Sequence, residues 1–272
     1  MTRLSAEHLN YCRSAAKQFM NTLRNNDIPE DTRNACNNAV DLYTASQKFI
    51  LPINGRLLDD PEFKALDENQ PLTLPYPFIA LEYTSEGPVE PGFAPSSKRI
   101  VFARDREDGI VITVCPYFDH QQVWGIIPEY FIPKTHYLNR QIKDENGNIG
   151  ILTYGPEEIR ESVSDEVGSL LSFLNALQCS NVHIEKSHPK KLNKKIKPCL
   201  PFDTYHILTV DLPSQKHPSD GAGQQHRSPR EHLRRGHIRR YPNGLKIWIQ
   251  ATFVNAGSGN KVTKDYLVRG IQ

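Results

Sequence analysis

What this chain lacks narrows its class first. No stretch of its 272 residues approaches the ~20 consecutive apolar positions that a membrane-crossing helix needs. Residues 1–8 contain no apolar run of the kind that opens a secretory signal. The five cysteines, Cys12, Cys36, Cys115, Cys179 and Cys199, are odd in number and widely spaced, with no Cys-x-x-Cys pair. That excludes a disulfide framework and a zinc knuckle, and it suits a reducing compartment. The expectation is a cytoplasmic protein with no membrane partner, no cofactor and no metal site.

What is present is ordinary in amount and unusual in distribution. Hydrophobic residues at 38% and charged residues at 24% are enough for a real core, as one large or two modest domains. The formal net charge is only +2. Residues 186–246, however, hold fourteen Lys and Arg against four acids, which puts +10 there and −8 on the rest. Such segregation is the footprint of a polyanion-facing part on an acidic body. A solvated basic face with no partner is the plain alternative.

Hydrophobic spacing predicts helices over residues 5–25 and 31–49. Leu9, Cys12, Ala16, Phe19 and Leu23 line the first, with Ser5 as its cap; Ala35, Ala39, Leu42 and Phe49 line the second, with Asp31 or Thr32 as its cap. The turn chemistry of residues 25–29 joins them as a hairpin. Short apolar runs at 78–83, 99–104, 110–115, 123–127 and 150–154 then predict one antiparallel sheet, with Asp108-Gly109 and Asn146-Gly147 as turns. A long core-packing helix follows over 156–178, from Ile159, Val163, Val167, Leu170, Leu171, Leu174 and Leu177. Beyond it come a basic loop, a strand at 205–211, a Ser/Pro/Gly/Gln-rich loop at 213–225, a Pro242-Asn243-Gly244 turn, and strands at 245–254 and 262–268. The expected fold is α+β, with units at 1–50 (helical hairpin), 51–181 (antiparallel sheet with one long packed helix) and 182–272 (basic loop and C-terminal basic β unit).

The densest functional signal is residues 226–240, with six arginines and three histidines. Ser228-Pro229-Arg230-Glu231 has the form of a capping box with proline at the first helical position, and Gly236 is a natural stop. A helix of about two turns is predicted between them, leading into an extended segment. In that segment His237, Arg239 and Tyr241 would point one way, and Ile238 and Arg240 the other. Arginine suits bidentate phosphate contact. The candidate nucleic-acid-binding residues are therefore Arg227, Arg230, Arg234, Arg235, Arg239 and Arg240, joined by the lysine comb Lys190, Lys191, Lys194, Lys195 and Lys197. Tyr241, Trp248 and Phe253 are the only aromatics nearby, and Trp248 is assigned to the strand core, so base stacking has little support.

Two further chemistries fit the same residues. His232 or His237 could serve as acid–base groups in a metal-independent nuclease; no carboxylate set for magnesium accompanies them. The arginines could instead bridge acidic patches within the fold or on a partner. A zinc site from His226, His232 and His237 fits no common ligand spacing.

Residues 190–198, 205–210, 228–240 (SPREHLRRGHIRR), 246–249 and 74–83 together resemble a family of proteins encoded by tailed phages and prophages, over most of residues 74–268. The resemblance carries no settled activity and no catalytic residues. It implies expression in an infected bacterial cytoplasm, and it implies either nucleic-acid metabolism or interference with a host or defence protein. The expected function is a phage-encoded nucleic-acid-binding protein, with an inhibitory interaction protein as the alternative and a nuclease behind both.

Overall fold

The computed structural model describes residues 9–57, 72–86, 96–133, 141–143, 149–151, 163–187, 200, 203–211, 232–234, 237–249, 252–254 and 267–269. Its organising element is a nine-stranded mixed sheet. Five strands make its middle: β10 (Tyr205–Asp211), β1 (Gln47–Ile50), β2 (Phe78–Thr84), β3 (Ser96–Asp105) and β4 (Gly109–Phe118), in that order. β1 runs parallel to both neighbours, with Phe49 beside His206 on one side and Leu81 on the other. From β2 to β4 the pairing is antiparallel.

Near each end of the sheet two strands share one edge of a longer neighbour. β9 (Val182–Ser187) pairs along β10, so β1 and β15 (Leu267–Arg269) divide the opposite edge of β10. β3 lines one edge of β4, while β5 (Val123–Trp124) and β6 (Ile127–Pro133) divide the other. Gly109 opens β4 where β6 crosses closest. A Cβ there would lie 2.4 Å from the carbonyl oxygen of Ile132, so no other residue fits without moving the edge strand.

Alternation along the strands sorts the core into two faces. Phe49, Leu81, Val101 and Ile112 point to one face, under Leu170, Leu171, Phe173 and Leu174 of α3 (Ser164–Leu177). Ala80, Ile100, Phe102 and Cys115 point to the other, against α1 (Tyr11–Thr22) and α2 (Glu30–Ala45). Ala15, Ala16 and Ala39 are buried there, and their small side chains let the helical hairpin sit close to the sheet. Burial on both faces explains why residues 109–116 are buried without interruption instead of alternating with polar positions. The class is mixed α+β, and among the described residues no helix is long and apolar enough to cross a membrane.

Several expectations change. The sheet is mixed, not antiparallel, because β1 lies between two parallel partners, and a short apolar run carries no record of its neighbours' direction. The second helix stops at Ala45. Ser46 is extended, and Phe49 lies in β1 with its ring edge-on to Phe173 at 4.8 Å, so its apolar character serves the far face of the sheet. Asn10, in a left-handed conformation, precedes α1, while Ser5 lies outside the described residues. No side chain caps α2: Pro29 precedes it, with Glu30 and Asp31 in its first turn. Of the strand expected at 150–154, the described part, β8 (Ile149–Ile151), pairs with β7 (Gln141–Lys143) in a separate two-stranded sheet; residues 152–154 and Asn146-Gly147 lie outside the described residues. Residues 156–162 of the long helix lie outside the described residues.

Two outcomes follow from this core. Phe173 is fully buried against Phe49, so Phe173→Ala should cost about 3–5 kcal/mol in chemical denaturation. His206 is 1% exposed, between the rings of Phe49 (5.0 Å) and Tyr76 (5.5 Å). Burial pushes its pKa below the usual value, and the Lys186 cation adds to this. The folded state therefore holds the neutral ring. Its contribution to stability is complete above the unfolded imidazole pKa of about 6.5, and it is lost as pH falls through that value toward the lowered one. In thermal melts between pH 7.5 and 5, wild type should lose stability relative to His206→Phe; parallel profiles would show that the ring does not titrate against the fold.

Candidate nucleic-acid interface

Most of the predicted cationic surface lies in the C-terminal third. β12 (His237–Arg240) pairs antiparallel with β13 (Lys246–Ile249), matching Arg240 with Lys246 and Ile238 with Trp248. The turn between them is closed by the Tyr241 amide on the Leu245 carbonyl (2.9 Å) and the Gly244 amide on the Tyr241 carbonyl (3.0 Å). Gly244 takes a φ of +81°, a conformation that side-chain-bearing residues avoid. Asn243 Oδ1 accepts from the Leu245 amide. This is the Pro-Asn-Gly turn expected from the sequence.

The strand continues upstream in the same register. β11 (His232–Arg234) pairs with β14 (Thr252–Val254), and Arg234↔Thr252 lies three residues from His237↔Ile249 on both strands. The predicted two-turn helix is therefore corrected: residues 232–234 are extended. A helix that short gains little alone, whereas strand pairing supplies partners for its backbone. The long strand 245–254 is seen as two paired segments, β13 and β14.

The base of the ribbon is bolted to the core. Trp248 is 1% exposed and belongs to the α3-side cluster, with Ile238 packed beside it. The Asn181 side chain, just beyond α3, receives the Trp248 amide on Oδ1 (2.8 Å) and donates Nδ2 to the Trp248 carbonyl (3.0 Å) and the Asp211 carbonyl (3.1 Å). One amide side chain thus acts as a substitute strand between the ribbon and β10. The Lys246 carbonyl accepts from the Ser180 amide (2.9 Å), and Lys246 Nζ donates to Gln178.

This anchoring divides the cations. Lys246 is buried at the C-terminal end of α3, where positive charge is favoured. Lys246 and Arg240 hold the Cys179 thiol down against burial, which still pushes it up to about 11. Arg239 and Arg240 are exposed and His237 is half-buried. Of the predicted site the structure describes these three on β12, where alternation puts His237 and Arg239 on one face of the ribbon and Arg240 on the other, with Lys246 and Trp248. Of Arg234 and His232 it describes the strand backbone alone. Lys190, Lys191, Lys194, Lys195, Lys197, Arg227, Arg230 and Arg235 lie outside the described residues. Among the described residues no three His, Cys, Asp or Glu side chains converge as metal ligands.

A second polar constellation was missed by the sequence reading. Glu82, fully buried in β2, accepts the Tyr11 amide on Oε2 (2.9 Å) and the Cys12 amide on Oε1 (2.8 Å) at the start of α1. The Tyr205 hydroxyl donates to the same carboxylate at 2.9 and 3.0 Å. Burial pushes the Glu82 pKa up, while the Cys12 thiol and amide, the Tyr11 amide and the Tyr205 hydroxyl pull it down. Nearby, Lys48 Nζ donates to the Tyr43 carbonyl (2.7 Å) and lies 3.6 Å from Asp203. Arg13 donates to the Leu200 carbonyl. The Cys12 thiol is pushed well above its usual range, first by burial and then by Glu82, so it stays protonated and is no nucleophile. With Glu82, Cys12 and Tyr205 buried at its centre, this cluster fastens α1 to the sheet. The available signal was a lone acid inside the apolar run 78–83.

Removing that acid tests the fastening. Glu82→Ala strands two α1 amides and the Tyr205 hydroxyl in the interior, and should cost about 3 kcal/mol or more in chemical denaturation. An unchanged midpoint would show that α1 docks without it.

In comparisons with protein-family models, curated proteins and solved structures, none matches this chain.

Proposed function

We propose that this is a nucleic-acid-binding protein, encoded by a tailed phage and acting in the infected bacterial cytoplasm, that grips phosphates with its C-terminal arginine-rich hairpin. The observation that carries the reading is the placement of Arg239 and Arg240, exposed beside a tight turn on a ribbon that Trp248 and Asn181 hold to the core. Guanidinium groups suit bidentate phosphate contact, and the anchored ribbon fixes the backbone that carries them. The +10 carried by residues 186–246 supplies long-range attraction to a polyanion. A two-stranded ribbon also has dimensions that a nucleic-acid groove accepts.

The test is binding of labelled double-stranded DNA, single-stranded DNA and RNA by the full chain across a salt series. Log affinity should fall steeply with log salt, and Arg239→Ala/Arg240→Ala should flatten that slope by about one to two units. Salt-insensitive binding overturns the reading. A nuclease-resistant complex with one host protein, in place of nucleic-acid binding, would assign the same cations to an acidic protein target.

A further inference from the structure

The tip of the ribbon has a feature that phosphate binding leaves unexplained. Among the described residues four large hydrophobic side chains are exposed, and two of them, Tyr241 (37%) and Leu245 (39%), flank this one turn. The turn does not need them. Its geometry comes from backbone hydrogen bonds, Asn243 and the positive φ of Gly244. Pro242 between them is exposed as well. The tip is thus a blunt apolar knob, with Arg239 and Arg240 next to it on the same strand. From His232 to Lys264 the sequence contains no acidic residue, so nothing on this stretch repels a phosphate backbone.

An apolar knob beside two guanidinium groups is poorly suited to lie against phosphates itself, since they offer it no apolar surface. It is well suited to the space between two base pairs. Proteins that bend DNA insert apolar side chains into a base step and hold the flanking phosphates with cations. Unstacking costs a few kcal/mol, offset by apolar burial and by the charge contacts that the bend permits. Single strands are the weaker fit, because sequence-tolerant single-strand binders offer several exposed rings in a row, and this tip has one.

We propose that the β12–β13 tip is a wedge for double-stranded DNA: Tyr241, Pro242 and Leu245 enter a base step and kink the duplex, while Arg239 and Arg240 hold the adjoining phosphates. This rests on the nucleic-acid reading above. The experiment is end-to-end energy transfer across a doubly labelled duplex of about 30 base pairs, bound by the full chain and by Tyr241→Ser/Leu245→Ser. Both side chains stand partly in solvent at the turn, and thermal melts of the two proteins check that the variant is folded at the assay temperature. Wild type should shorten the end-to-end distance. The variant should bind with an unchanged salt slope and about tenfold lower affinity, and leave the duplex straight. Equal bending by both proteins, or binding confined to single strands or to RNA, overturns the wedge and leaves the phosphate reading standing. No salt-dependent binding to any nucleic acid overturns both. Loss of a dimer in the variant with bending intact would assign the knob to self-association and overturn the wedge.

Discussion

The carboxylate of Glu82 is the constraint around which one face of this protein is arranged. It sits in a central strand with no exposure to solvent, and burying a charge there is costly unless every lone pair is occupied. The occupants come from two other elements, the first-turn amides of α1 and the hydroxyl of Tyr205 on β10. The group that would be most expensive alone therefore sets the position of its neighbours. α1 must present its amino end, where amides have no intrahelical partner and the dipole is positive. The alanine-lined helical hairpin then closes over the sheet around that point.

The opposite end of the molecule uses a neutral version of the same device. Asn181 offers one donor and one acceptor to Trp248 and so ties the C-terminal ribbon to α3 and β10 without a continuous strand. Because the tie is at the base of the ribbon, the turn is left in solvent. Charges divide accordingly: Lys246 is absorbed by the end of α3, while Arg239 and Arg240 face water. A count of cations along residues 226–246 treats these as equivalent, and the fold does not.

The two faces differ in how they meet ionisable groups. On the α3 side Arg99 pairs with Glu166 at 2.8 Å, and His206 sits among aromatic rings with its pKa lowered. On the hairpin side Lys48 is paired with Asp203 and the Tyr43 carbonyl, and Glu82 with Tyr11, Cys12 and Tyr205. The buried carboxylates, with pKa pushed up, and the buried imidazole, with pKa pushed down, respond to pH with opposite sign.

The sequence by itself determined the elements whose pattern is local. Alternating and continuous apolar runs bounded by Asp108-Gly109 marked the β3–β4 hairpin, and a 3.6-residue period marked the helical hairpin and α3. Pro242-Asn243-Gly244 marked the turn between β12 and β13 because its backbone requirements belong to those residues alone. Only the tertiary structure decided where partners came from outside the window. Phe49 fits a helical period, but pairing with two parallel strands and stacking on Phe173 draw it into β1. His232 to Arg234 follow a well-formed capping sequence, yet the register they share with Thr252 to Val254 makes them a strand. Glu82, Lys48 and Asn181 look unremarkable in one dimension, since what a buried polar group does depends on partners tens of residues away.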